Sequence, residues 1–356
     1  MPLIGVIAVL ALAAGAVLGS QHHGESEQGI AGVTARLRHM KIAPRRALPA
    51  AAGDPIAPIL PAKGPIIGTN DGVGWGRAAA RTIVRGHITW NRVALGSPPN
   101  TLAGSLSDGF KVLLIVANVA DRTPLSQIDP SSWGAEVVSE LKARKGVGLA
   151  EAGNESYLKG DVANPIQYGR MYLDAVEDMK AARIRIPLLF NMTGDIPHNT
   201  WADPQGWSED DDEGGWLREA VAAVPGLAAA ILANGVSIHP YGAVGENSHD
   251  DLGTGSAAAE EAVANTVLGS IPPFYVTEIG YALGRCGAVA GACSERQQAT
   301  KMQAAYEVFL ADPHIYGIWW YQSHDDPTGN FGFMSNSNRV RPAFKVLSAI
   351  ASAAGQ

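Results

Sequence analysis

The sequence predicts a single (β/α)8 barrel, in which eight parallel strands alternate with helices. Eight short apolar runs occur between residues 65 and 323, and several have no polar face, as parallel strands covered by helices require. Helical patterns separate these runs, and no glycine-rich phosphate-binding fingerprint accompanies them. This alternation favours a closed barrel over a doubly wound nucleotide-binding sheet.

The elements follow one another in a regular order. The strand candidates span residues 65–70, 87–95, 111–119, 146–153, 184–192, 235–242, 273–280 and 315–323. One helix begins at Asn164 and Pro165 and another is capped by Ser294, and apolar residues recur at helical spacing in both. Only a short helix fits between the second and third strands.

The 356-residue chain divides into three parts. Residues 1–19 contain an uninterrupted apolar run that is typical of an export signal, although no Lys or Arg precedes it. A membrane anchor is the alternative, because the run reaches the lower limit of a spanning helix. Residues 20–63 are rich in Ala, Pro and Arg and predict a flexible linker. Residues 64–356 form the predicted barrel domain.

Charge and cysteine content exclude several classes of partner. The formal net charge of −7 leaves no basic surface for nucleic acid. The two cysteines, Cys286 and Cys293, have no nearby histidine for a zinc site, and in an exported protein they predict a loop-closing disulfide. The acidic run 209–213 lacks the spacing of a calcium loop. We expect no metal and no cofactor, and nothing in the sequence requires more than a monomer.

Polar residues stand where several of the predicted strands end. In a barrel of this class the carboxyl ends of the strands converge on one mouth, where the active site lies. The residues at these ends are Arg92, Asn154, Glu155, His239, Tyr241, Glu278, Trp319 and Trp320.

Two of these residues, Glu155 and Glu278, form a candidate catalytic pair on the fourth and seventh strands. Glycoside hydrolysis uses one carboxylic acid to protonate the leaving oxygen and one carboxylate to attack the sugar. Their pKa values must be held apart for the two roles. Either glutamate alone is weak evidence, but both in this order predict the reaction.

The segments "EAGNE", "SIHPYG", "VTEIG" and "WW" occur in order on the fourth, sixth, seventh and eighth strands. In this order they resemble the clan A glycoside hydrolases, which are retaining (β/α)8 enzymes that include β-xylosidases and β-glycanases. The resemblance covers essentially residues 65–350. One departure is Ser156, which stands where many relatives have proline.

The resemblance implies a role for each residue of the motifs. Glu155 would be the general acid/base and Glu278 the nucleophile. Asn154 would bind the sugar 2-hydroxyl, and His239 and Tyr241 would line the subsite near the nucleophile.

Arg92 and the tryptophan pair complete the candidate site. Arg92 either holds the carboxylate of Glu278 ionised or forms a structural salt bridge. Because successive strand residues alternate faces, only one of Trp319 and Trp320 can face the barrel interior. By analogy with the motif, we expect Trp320 to stack on a sugar.

The sequence therefore predicts an exported retaining glycoside hydrolase that cleaves β-linked poly- or oligosaccharides. A catalytically silent carbohydrate-binding barrel is one alternative, and a transglycosylase that uses the same covalent intermediate is another. The sugar and its linkage are not specified by these motifs, because barrels of this shape acquire specificity through their loops.

Overall fold

The computed structural model describes residues 42–45, 64–70, 76–94, 100–116, 129–154, 165–192, 212–240, 257–284, 293–325 and 329–356. Eight strands in these residues close into a parallel barrel in chain order, which confirms the predicted fold. They are β1 (Ile66–Asn70), β2 (Trp90–Ala94), β3 (Lys111–Ile115), β4 (Val147–Glu151), β5 (Leu188–Asn191), β6 (Val236–Ile238), β7 (Phe274–Ile279) and β8 (Ile315–Trp320).

Helices in the described residues surround this barrel. They are α1 (Arg77–Arg85), α2 (Asn100–Ser107), α3 (Pro130–Ala143), α4 (Pro165–Ala181), α5 (Asp212–Ala223), α6 (Leu227–Asn234), α7 (Ala257–Leu268), α8 (Glu295–Ala311) and α9 (Pro342–Ala353). The short connection between β2 and β3 holds the eight-residue α2, as predicted.

Local sequence signals explain where two of the helices begin. The Ser294 side chain accepts a hydrogen bond from the backbone N–H of Gln297, and the Gln297 side chain accepts one from the backbone N–H of Ser294. This reciprocal capping box satisfies two N–H groups at the start of α8 and confirms the predicted cap. Pro165 begins α4, as predicted, whereas Asn164 lies outside the described residues.

Large aromatic side chains fill the inside of the barrel. The rings of Trp90 and Trp319 meet edge to face with centroids 6.3 Å apart. Two glycines make room for them, because a Cβ on Gly68 would lie 2.3 Å from the Trp319 ring and one on Gly148 would lie 2.5 Å from the Trp90 ring. The interior below the mouth is thus a packed core, as expected of an eight-stranded barrel.

A second and larger core lies between the strands and the helices. Strand residues of the opposite parity, such as Val112, Leu114 and Val276, pack there against the apolar faces of the helices. The two cores explain why the strand sequences are apolar on both faces.

A short segment before the barrel packs on its base. The backbone N–H of Ala43 donates to the carbonyl of Leu310, and Arg45 Nε donates to the carbonyl of Ile315 at 2.6 Å. These four described residues, 42–45, therefore lie against the domain, although the sequence predicts them as part of the linker. The rest of the predicted linker outside the described ranges, and the predicted signal at 1–19, lie beyond what the structure describes.

Within the described residues, no single helix combines the length and apolar character needed to cross a membrane. Two consecutive helical segments, Gly215–Ala223 and Leu227–Asn234, are long and apolar enough only when they are taken together, and the chain bends by 119° between them.

Candidate active site

The described residues at the carboxyl ends of the strands include five of the seven predicted site residues. Arg92, Asn154, His239, Glu278 and Trp320 are described, whereas Glu155 and Tyr241 lie outside the described residues. The first four contact one another or shared partners in a buried polar cluster. Trp320 lies elsewhere.

Arg92 is the centre of this cluster, and its side chain is 2% exposed. Its Nε donates to Glu151 Oε2 at 2.6 Å, and its Nη1 donates to Glu278 Oε1 at 2.5 Å and to Asn70 Oδ1 at 2.9 Å. Its Nη2 donates to Asn154 Oδ1 at 2.6 Å. One guanidinium therefore links the ends of β1, β2, β4 and β7.

The charges around Arg92 keep it protonated. Burial by itself would lower the pKa of Arg92, but the carboxylates of Glu151 and Glu278 raise it above its ordinary value. A guanidinium is also well suited to this position, because its donors have a fixed planar geometry. The predicted contact between Arg92 and Glu278 is present, together with a second carboxylate contact that the sequence did not lead us to expect.

That second carboxylate belongs to Glu151, the residue that sequence reasoning missed. Glu151 is 0% exposed, and its Oε1 accepts hydrogen bonds from Asn191 Nδ2 at 3.2 Å and Thr277 Oγ1 at 3.0 Å. A signal for it was available. Glu151 shares strand parity with the inward-facing Leu149, and a lone carboxylate inside an apolar strand requires a buried partner.

Glu278 is the more accessible of the two carboxylates, with its side chain 11% exposed. It reaches the mouth because β7 is irregular. The register of β7 against β8 shifts between Val276 and Ile279, and the side chains of both Thr277 and Glu278 contact the cluster. Regular alternation would have directed one of these two consecutive side chains to the outside of the barrel.

His239 lies between the two carboxylates and is 2% exposed. Its Nδ1 is 3.8 Å from Glu278 Oε2, and its Nε2 is 3.9 Å from Glu151 Oε1. The same Nε2 is 3.1 Å from Thr277 Oγ1. The imidazole therefore borders Glu278, the nucleophile candidate.

Asn70, at the end of β1, belongs to the same cluster. It is 4% exposed, its Oδ1 accepts from Arg92, and its Nδ2 donates to the carbonyl of Thr277 at 2.9 Å. Both ends of its amide are thus used inside the protein, and Asn70 holds β1 against β7.

The two adjacent tryptophans face opposite sides of β8, as alternation predicts. Trp319 belongs to the barrel interior, whereas Trp320 belongs to the outer core. Trp320 is 0% exposed, its ring lies 6.0 Å from that of Tyr281, and its Nε1 donates to the carbonyl of Phe331. The expectation that Trp320 stacks on a sugar therefore needs correction, because the strand directs its ring away from the mouth.

Tyr321 follows β8 directly and retains partial exposure. Its carbonyl passes so close to Gly280 that a Cβ on that glycine would lie 2.0 Å from the oxygen. The glycine of the "VTEIG" motif is therefore required for β7 and the segment after β8 to meet at the mouth.

Ser323, His324 and Asp325, which follow β8, make polar contacts within the barrel domain. His324 Nε2 lies 2.9 Å from Asn338 Oδ1, and Asp325 accepts two hydrogen bonds from Arg341. These contacts hold His324 and Asp325 against the segment that leads into α9.

The described part of the chain holds one group of side chains with the geometry of metal ligands. Ligand-type atoms of Glu261, Asp312 and His314 lie within 4.8 Å of one another. Asp312 and His314 immediately precede β8, so this group lies at the base of the barrel, away from the mouth. It takes no part in the candidate active site.

The comparisons with known proteins agree with the barrel fold. No protein-family model and no curated protein matches the chain. Among solved structures, Saccharomyces cerevisiae Gas2p in complex with laminaritetraose and laminaripentaose has a TM-score of 0.51 at 14% identity, covering 88% of this chain and 67% of that one. A GH128 endo-β-1,3-glucanase from Sorangium cellulosum has a TM-score of 0.52 at 14% identity, covering 79% and 97%.

A third match is the Ignisphaera aggregans GH53 catalytic domain, with a TM-score of 0.51 at 13% identity over 87% of this chain and 99% of that one. The chain shares the barrel fold of these proteins. At such identities the likeness establishes the fold alone.

Proposed function

We propose that this protein is an exported retaining glycoside hydrolase with Glu278 as nucleophile and Glu155 as general acid/base. The observation that carries the proposal is the Arg92 cluster. Arg92 holds the Glu278 carboxylate at the barrel mouth. It also holds Asn154, which is the residue directly before Glu155.

The proposed reaction has two steps. Glu278 attacks the anomeric carbon while Glu155 protonates the departing glycosidic oxygen, which leaves a covalent glycosyl ester on Glu278. Glu155, now a carboxylate, removes a proton from water, and the resulting hydroxide displaces Glu278 from the sugar. Arg92 stabilises the Glu278 carboxylate before attack and after release, because its donor already lies at hydrogen-bond distance.

As substrate class we propose β-1,3-linked glucan. Two structural neighbours support this choice, since one is an endo-β-1,3-glucanase and the other was solved with laminari-oligosaccharides. The substrate class is tested by measuring the release of reducing ends from laminarin and, for comparison, from other β-glycans. The mechanism is tested by proton NMR, which identifies the anomer that forms first. Retention supports the double displacement, whereas inversion contradicts it.

The two glutamates provide the matching variants. We expect Glu155→Gln to lower kcat by about 10²- to 10⁴-fold, the range that general acid–base catalysis contributes. Glu278→Gln removes the nucleophile, and we expect no measurable turnover. The matched control is Glu140→Gln, because Glu140 pairs with Arg144 on the surface of α3. Laminarin binding without turnover in the wild type would indicate a silent binding barrel.

Export predicts a disulfide between Cys286 and Cys293. Cys293 is buried, and Cys286 lies outside the described residues. Thiol alkylation of the secreted protein before and after reduction tests the pair. We expect labelling after reduction alone, and full labelling without reduction would contradict the disulfide.

A further inference from the structure

We propose that Glu151 is a positioning residue for this reaction, which acts by holding one edge of the Arg92 guanidinium. The inference rests on the proposed function and adds a third carboxylate to it. Glu151 would set the orientation of the Arg92 guanidinium. It would also set how strongly the positive charge of Arg92 stabilises the Glu278 carboxylate.

The first step is that Glu151 fixes the direction of Arg92. The guanidinium is planar, so anchoring Nε on Glu151 determines where Nη1 and Nη2 point. Nη1 points at Glu278 and Nη2 at Asn154. One anchor therefore positions the nucleophile and the residue before the proton donor together.

The second step is that Glu151 is unsuited to react with a substrate. It is 0% exposed, and both of its oxygens already accept hydrogen bonds from protein donors. Oε2 accepts from Arg92, and Oε1 accepts from Asn191 and Thr277. These donors come from three different strands, so the carboxylate is held rigidly and can act only through its neighbours.

The third step concerns charge. Arg92 carries one positive charge and faces two carboxylates, so Glu278 shares this cation with Glu151. The other titratable group that the described residues place against both carboxylates is His239, at 3.8 and 3.9 Å. Removing the charge of Glu151 would leave Arg92 to Glu278 alone, which stabilises the ionised form of Glu278 and weakens it as a nucleophile.

Two variants separate orientation from charge. Glu151→Gln removes the charge with little change in size, and Glu151→Asp keeps the charge but withdraws the carboxylate by one methylene. We expect both to lower kcat/KM on laminarin by about 10²-fold, the cost of a small misplacement of catalytic groups. We expect only Glu151→Gln to move the acidic limb of the pH profile to lower pH.

The experiment is the pH profile of kcat/KM for the wild type, both Glu151 variants and the Glu140→Gln control, with thermal unfolding recorded for each. Activity of the variants within a few-fold of wild type, or the same acidic limb for Gln and Asp, would overturn the inference. If Glu151→Gln does not fold, a folded Glu151→Asp with wild-type activity still overturns it. A wild type inactive on every β-glycan instead overturns the proposed function, and the inference with it.

Discussion

In the described part of the chain, a pair of carboxylates lies at each end of the barrel, and the two pairs have different partners for their charge. At the mouth, Arg92 lies between Glu151 and Glu278 and donates to both. At the base, Glu261 and Asp312 contact each other beside His314. Arg45, which packs near them, donates to main-chain oxygens of Ile315 and Asp312.

Burial and the contact between Glu261 and Asp312, the basal pair, change the pKa of Glu261. Burial, and then the hydrogen bond and charge of Asp312, raise the pKa of Glu261 to about 8. The basal pair therefore holds a proton near neutral pH. The mouth, where the proposed chemistry needs a charged nucleophile, uses a permanent cation instead. The two ends thus place different partners beside a pair of carboxylates, a buried arginine at the mouth and a proton at the base.

The largest expected effect comes from removing the cation at the mouth. Arg92→Met leaves Glu151 and Glu278 facing each other in a buried site without a counter-ion. We expect a loss of about 3–5 kcal/mol in the free energy of unfolding, the usual cost of breaking a buried ion pair. Chemical denaturation measures it. Arg45→Met at the base is the comparison, and an equal loss in both variants would contradict the distinction between the two ends.

The next effect concerns the outward-facing tryptophan of β8. Trp320→Phe removes the hydrogen bond to the Phe331 carbonyl and leaves a small cavity in the outer core. We expect about 2 kcal/mol of destabilisation. The KM for laminarin should not change, because the ring does not face the mouth. A raised KM at unchanged stability would instead restore Trp320 to the sugar-binding role.

The smallest effect belongs to the basal pair. A carboxyl group whose pKa is higher in the folded than in the unfolded state binds its proton more tightly when folded. The free energy of unfolding should therefore fall as pH rises from about 4.5, the ordinary pKa of a glutamate, to about 8, the pKa of Glu261 in the folded protein. Thermal unfolding across this interval should show a shallower fall in Glu261→Gln than in the wild type or Glu140→Gln. Identical slopes would show that Glu261 does not share a proton with Asp312.

The fold was predictable because it depends on repeated, redundant signals. Eight apolar runs separated by helical patterns define a barrel even when individual ends are misplaced. The sixth strand, predicted over 235–242, extends only from Val236 to Ile238. The fifth begins at Leu188, four residues later than predicted, because Arg183 to Pro187 connect it to α4. Such end effects depend on tertiary contacts that periodicity does not report.

The site was predictable only in part. The motifs identified Asn154, His239 and Glu278, and the position of Arg92 at the end of the second strand identified it as a candidate. The structure brings these four residues into one cluster. Glu151 lies within the same "EAGNE" motif, but its importance arises from a partner on another strand. The roles of Glu278 and Trp320 depend on which side of the strand each side chain lies on. Alternation predicts that side only for regular strands. The irregularity in β7 brings Glu278 to the mouth, and the regularity of β8 takes Trp320 away from it.

The identity of the nucleophile is tested most directly by trapping the covalent intermediate. Intact-protein mass spectrometry would follow the wild type and Glu278→Ala after exposure to a panel of 2-deoxy-2-fluoro glycosyl fluorides, with the glucosyl compound as the expected reagent. We predict one adduct on the wild type, mapped to the peptide that contains Glu278, and none on the variant. A wild type that hydrolyses laminarin but carries its adduct on another residue would contradict the assignment of Glu278.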